Sequence, residues 1–278
     1  MTVTMTDLDG YISFLKMEER SNGTIEKYEA DARDFLLWLD GRELTKAETL
    51  GWKEALAGKN LAPATVNGKL STLNGFLKYL GKMECCVKSL KIQHKPFRDP
   101  GREMSREEFQ RLLNAAKSQG DTRMYMVMAT IAATGIRVSE LRYITVEAAR
   151  DGRAVVNLKG KIRTILIPGK LAKKLMKYAK KQQIRTGAIF ITRNGTPLNR
   201  KQIWARMKAL CEAAQVESTK VFPHNLRHLF ARTHYARYHD IVCLADVLGH
   251  SSVETTRIYL ITTGVEYAKQ LDELRLVS

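Results

Sequence analysis

Apolar residues return every three to four positions through most of this chain, and that period commits it to helices before any other feature is weighed. Leu8, Tyr11, Ile12 and Leu15 form one stripe, and Ile25, Tyr28, Ala32, Phe35 and Leu39 form a longer one. A shorter helix is expected over residues 47–56. A fourth opens at Pro63, whose missing N–H costs nothing in a first turn, with Val66, Leu70, Leu73, Leu77 and Leu80 facing inward. The first third of the chain therefore reads as a small all-helical bundle.

The period breaks between Gln93 and Arg102, where Pro96, Pro100 and Gly101 mark a linker. The expected division is a helical domain over residues 1–92, a linker over 93–103 and a second domain over 104–278. Ser105 with Glu108 is a capping box, and Phe109, Leu112, Leu113 and Ala116 give the helix behind it an apolar face. A mostly apolar helix over residues 122–134 stops at Gly135, so Arg137 lies just past its end, followed by a short second helix through Leu141. Two β-rich runs, 154–158 and 164–167, flank a Lys-Gly-Lys turn and predict a hairpin, and residues 189–192 predict a third strand. Beyond Asn199 the periodic runs are helical: 202–214, 225–238, 241–248, 253–262 and 265–274. The fold class is mainly α with a small antiparallel sheet: an all-helical N-terminal domain followed by an α+β domain.

Lys and Arg number 46 against 29 Asp and Glu, a net charge of +17 that makes a polyanion the expected partner. Residues 1–58 carry seven basic against twelve acidic side chains, and residues 59–95 carry seven against one. Lys69 and Lys78 on the fourth helix and Lys82 beyond it could thus meet DNA, or could simply be solvated. The four cysteines show no metal or redox spacing and read as reduced thiols. Residues 1–9 lack a basic then apolar leader, and no run approaches ~18 apolar residues. A cytoplasmic protein with no membrane partner is expected.

The chemistry concentrates near the C-terminus in His224-Asn225-Leu226-Arg227-His228, Gly249-His250 and Thr256-Arg257-Ile258-Tyr259. Breaking a phosphodiester requires cations on the nonbridging oxygens, a nucleophile in line and an acid for the leaving oxygen. Arg137 and Arg227 would each present a two-pronged fork to those oxygens. His224, three residues before Arg227, emerges on the same helix face. A phenol, Tyr259, could attack at neutral pH beside such positive charge. A hairpin lysine, Lys159 or Lys161, could protonate the departing oxygen. His224 and His228 could alternatively share a cation, but no HExxH base and no third ligand accompany them. No metal and no other cofactor is expected.

Arg137 in Thr-Gly-Ile-Arg-Val-Ser-Glu-Leu, the hairpin lysine, His224-x-x-Arg227, Leu248-Gly249-His250 and Tyr259 nine residues later resemble the tyrosine recombinase (phage-integrase) family in order and spacing. The resemblance covers residues 104–278, and the helical first third is similar to the two-domain, Xer-like members' core-binding domain. It implies site-specific recombination of double-stranded DNA through a 3′-phosphotyrosyl link and a Holliday junction, by a homo-tetramer on DNA. Carried over by motif, Arg137 and Arg227 hold the phosphate, His224 and His250 bond it or assist proton transfer, Lys159 is the acid, Tyr259 attacks and Glu140 buttresses Arg137. Lys161 then joins Lys69, Lys78 and Lys82 as a DNA contact. The terminal run Val265, Ala268, Leu271 and Leu274 would dock on a neighbouring protomer.

Two departures stand out. The family's Gly-Lys-Gly-Asn-Lys hairpin is one residue shorter here, which leaves Lys159 and Lys161 in competition, and Leu229 replaces a small hydroxyl residue. Integration or excision of a mobile element, DNA inversion and chromosome-dimer resolution all fit. A DNA-binding regulator that has lost cutting, or a type IB topoisomerase, would use the same fold.

Overall fold

The computed structural model describes residues 2–92, 100–158, 161–250, 252–259 and 271–274. The chain divides into two compact units, Met1–His94 and Lys95–Ser278.

The first unit is four helices, α1 (Met5–Met17), α2 (Asn22–Leu39), α3 (Lys46–Gly58) and α4 (Pro63–Tyr79), closed by a 3-10 turn at Met83–Cys85. Local chemistry starts three of these helices. Thr4 and Asp7 form a capping box on α1, Thr45 accepts the Glu48 N–H on α3, and Pro63 opens α4. The apolar stripes meet in a core around Tyr11, Phe35, Trp52 and Phe76, with Trp52 edge-on to Phe35 at 5.2 Å.

Two asparagines on α4 then hold the outgoing chain. Asn74 accepts the Val87 N–H and donates to its carbonyl, both at 2.8 Å. Asn67 does the same to Leu90, at 2.7 and 3.0 Å. Seven helical residues rise ~10.5 Å and three extended ones span ~10 Å, so the two clamps fall in step.

Lys69 proves different from its sequence expectation of a DNA-facing cation. It bonds Asp31 at 3.1 Å and Asp34 at 2.8 Å, and only 19% of its side chain is exposed. Lys27 and Thr72 also reach Asp31. Burial opposes ionisation of this carboxyl, yet the bonds from Lys27 and Lys69 hold it below the usual carboxylate range. Lys78 is exposed, and Lys82 lies 3.8 Å from Glu84.

The second unit begins with α5 (Arg106–Ser118), whose Ser105–Glu108 capping box is formed, and α6 (Thr122–Thr134). A 3-10 stretch, Val138–Tyr143, stands where a short helix through Leu141 is predicted. After α7 (Val146–Asp151), strands β1 (Arg153–Leu158) and β2 (Lys161–Leu166) pair antiparallel, with Val156 opposite Arg163. Then come α8 (Gly169–Lys181), α9 (Arg200–Ala209), α10 (Cys211–Ala214), α11 (Pro223–Tyr238), α12 (Ile241–Leu248) and α13 (Val253–Arg257).

Three expectations change. Residues 189–192 contribute one isolated bridge, Ile191 to Pro197, beside another from Ala188 to Thr145, so the sheet among the described residues has two strands. The predicted 202–214 helix is two, split at Leu210. α8 is a further helix, buried through Leu171, Leu175, Tyr178 and Ala179. The terminal run at 265–274 lies outside the described residues except for Leu271 and Leu274, which are exposed. No helix among the described residues is long and apolar enough to cross a membrane.

Candidate active site

Three helix ends converge in the second unit: the C-termini of α6 and α12 and the N-terminus of α11. Pro223 starts α11, and Asn225 donates to the carbonyls of Lys220 at 2.7 Å and Arg102 at 3.1 Å, anchoring its first turn. His224 and Arg227 leave this turn together. The other two helices end at glycines in the left-handed region, Gly135 (φ +64) and Gly249 (φ +64).

Arg227 fills the space between them. Its side chain is buried, with the residue 1% exposed. Nη1 donates to the Gly135 carbonyl at 2.5 Å, and Nη2 donates to the Leu248 carbonyl at 2.8 Å and meets His250 Nε2 at 2.7 Å. Its Nε–H is buried without an acceptor. These partners carry no formal charge, so the guanidinium is coordinated but not neutralised. Burial lowers its pKa to about 10, with Tyr259 acting in the other direction, so it stays charged at neutral pH.

The contact with Arg227 fixes the proton on His250. Arginine only donates, so Nε2 of His250 accepts and Nδ1–H donates to Thr256 Oγ1 at 2.7 Å. Burial, then the charges of Arg227, Arg137 and Arg163, pull this imidazole down to about 4. His224 is lowered by burial first and by Arg227 and Arg137 next. Both histidines are therefore neutral at pH ~7.

Tyr259 completes the cluster. The residue is 5% exposed, and its hydroxyl lies 3.4 Å from His224 Nε2. Its ring stacks on His250 at 5.6 Å and 7° and meets His228 edge-on at 4.4 Å.

Arg137 stands on the outer side, with 41% of its side chain exposed. Glu140 accepts its backbone N–H at 2.7 Å and its Nη1 at 3.2 Å. The same carboxylate accepts from Arg163 at 3.0 and 3.1 Å. Two guanidinium groups thus share one carboxylate while the third, Arg227, has only neutral partners, leaving a positive field over a phenol and two neutral imidazoles.

Residues 102–263 match the phage integrase family, and residues 8–83 match the phage integrase N-terminal SAM-like domain. The chain belongs to the phage integrase family. Tyrosine recombinase XerC of Treponema denticola is 31% identical over 91% of this chain and 92% of its own length. Tyrosine recombinase XerA of Pyrococcus furiosus is 26% identical over 97% and 94%. Among solved structures, a lambda integrase dimer bound to a COC′ core site shares the fold with a TM-score of 0.74 at 16% identity, covering 93% of this chain and 77% of that one. XerA recombinase gives 0.54 at 24% identity, covering 99% and 100%.

Within this integrase-family domain, Arg137, Glu140, His224, Arg227, His250 and Tyr259 come together. Lys159 lies outside the described residues, as does the Lys161 side chain, although the Lys161 backbone pairs with Leu158. Two residues went unread in the sequence. Thr256, fully buried, sets the His250 tautomer. Arg163 shares the inward face of the hairpin with Ile165 and faces Val156, and an arginine among such inward positions is the signal that could have found it.

Proposed function

We propose that this integrase-family chain is a site-specific DNA recombinase that cuts and rejoins strands through a covalent phosphotyrosine. The observation that carries it is the surplus of guanidinium charge around Tyr259. A phosphodiester carries the counter-charge that this cluster lacks, and its nonbridging oxygens suit the forks of Arg137 and Arg227.

In this reading the Tyr259 oxygen attacks phosphorus, its proton leaves through the imidazole side of the cluster, and the 5′ oxygen departs. Lys159 supplies that oxygen's proton, with Lys161 as a backbone contact. The 3′-phosphotyrosyl ester keeps the energy of the broken bond, so a second strand's 5′ hydroxyl can reverse the step without ATP. Charge that a metal supplies in other phosphoryl-transfer sites comes here from arginine. Neutral His224 bonds the phosphate or assists that proton transfer, and neutral His250, its two nitrogens engaged by Arg227 and Thr256, orients Arg227 rather than adding charge. The helical unit closes on duplex DNA through Lys78 and Lys82. The segment carrying Val265, Ala268, Leu271 and Leu274 links four protomers on two sites. Such an enzyme works in the cytoplasm of a bacterium, on the nucleoid, moving, inverting or resolving DNA.

Nicked duplexes from the region around the gene test the reading. The unaltered chain should form a covalent DNA adduct and Tyr259→Phe none. Equal adduct from both would place the nucleophile elsewhere. Deleting residues 265–278 should abolish the tetramer on DNA while leaving single-site binding.

A further inference from the structure

Arg163 is the one guanidinium of the cluster that the reaction does not use, and its surroundings are built around it. It leaves the inward face of β2 with 12% of its side chain exposed. Nη1 donates to both oxygens of Glu140, at 3.0 and 3.1 Å, and Nη2 donates to the Val247 carbonyl at 2.8 Å, in the last turn of α12. Glu140 in turn holds Arg137 by its backbone and side chain. Val247 lies three residues before His250.

Gly249 admits this side chain. A Cβ there would lie 2.3 Å from Arg163 Cδ and 2.7 Å from its Nε, so only a glycine leaves room for the guanidinium stem. Arg163 therefore touches the hairpin, the Arg137 support and the His250 loop at once, bridging residues 23 and 84 positions away.

We infer that Arg163 is a positioning residue: it sets the spacing of Arg137 and His250 from the β1–β2 hairpin, whose two strands flank Lys159 in the sequence. The inference rests on the strand-transfer reading of the site. Arg163 acts through Glu140 and the α12 terminus, and the phosphate never meets it. Lysine cannot replace it, because one ammonium does not present the planar fork that spans a carboxylate and a carbonyl.

The experiment follows adduct formation on the nicked duplex at saturating protein, with DNA affinity and the urea midpoint measured separately. Arg163→Lys is expected to cleave ~100-fold more slowly, as displaced catalytic groups do, with affinity within about threefold of the unaltered chain. Arg163→Gln, Glu140→Gln and the double variant form a cycle. Action through Glu140 makes the double variant no slower than the slower single one. Multiplicative losses would mean that Arg163 reaches the phosphate itself and would overturn the inference. Near-normal cleavage by Arg163→Lys, a loss confined to affinity, or collapse of the fold in that variant would each overturn it too. No adduct from the unaltered chain would instead remove the strand-transfer reading on which it rests.

Discussion

His250 sits where burial and three guanidinium groups all oppose its protonation, and that ties the folding of the domain to pH. An unfolded histidine takes up its proton near 6.5, whereas folded His250 resists until about 4. Between those values the unfolded chain binds the additional proton. Stability is thus complete above 6.5 and declines as the pH falls towards 4, with His224 contributing in the same direction. His250 is only half-buried, so the loss is on the order of 1 kcal/mol. Urea midpoints taken at pH ~7 and ~5 should show the drop, and His250→Asn should shrink it. Thr256→Val, close in shape but without an acceptor, should cost ~1 kcal/mol and slow cleavage ~10-fold by releasing the tautomer, read by urea denaturation and by adduct formation. Tyr259, Arg227 and His224 were legible because a short motif at fixed spacing names them. Arg163 was hidden because its meaning lies in partners remote in sequence.

Among the elements, helices with an apolar stripe were readable, α1 and α5 with a chemical cap and α2 by its long stripe alone. α8 was passed over because its six lysines interrupt a stripe of only four buried residues. Residues 189–192 look β-rich but find only one isolated bridge, since no neighbouring strand among the described residues extends them. The α4 clamp was unreadable for another reason: nothing in a pair of asparagines seven residues apart announces that each will grip a backbone residue. Replacing Asn67 and Asn74 together by alanine should cost ~1 kcal/mol per side chain and speed hydrogen exchange at the Val87 and Leu90 amides. At the end of α6, a Cβ on Gly135 would lie 2.4 Å from a Phe230 ring carbon, in a backbone conformation that already disfavours side chains. Gly135→Ala should therefore lose ~2 kcal/mol or more in urea denaturation and carry the Arg227 site with it.

For the whole molecule, net charge announces the class of partner but not which cations meet it. Lys69 is spent inside the helical unit, whereas Lys78 is exposed and has no carboxylate partner among the described residues. Lys78→Ala should lower the slope of log affinity against log salt by ~0.9, and Lys69→Ala should leave the slope but destabilise the unit by stripping Asp31 of a counter-ion. Arg227 raises the same issue at the scale of the entire fold. A cation sealed behind neutral carbonyls, with one N–H unanswered, leaves the DNA-free chain less well off than its packing would allow. In the proposed reading the substrate acts as a missing piece of the protein's own interior, and recognition becomes measurable as heat resistance: a duplex seated at Arg227 should raise the thermal midpoint, and Arg227→Met should lose that rise.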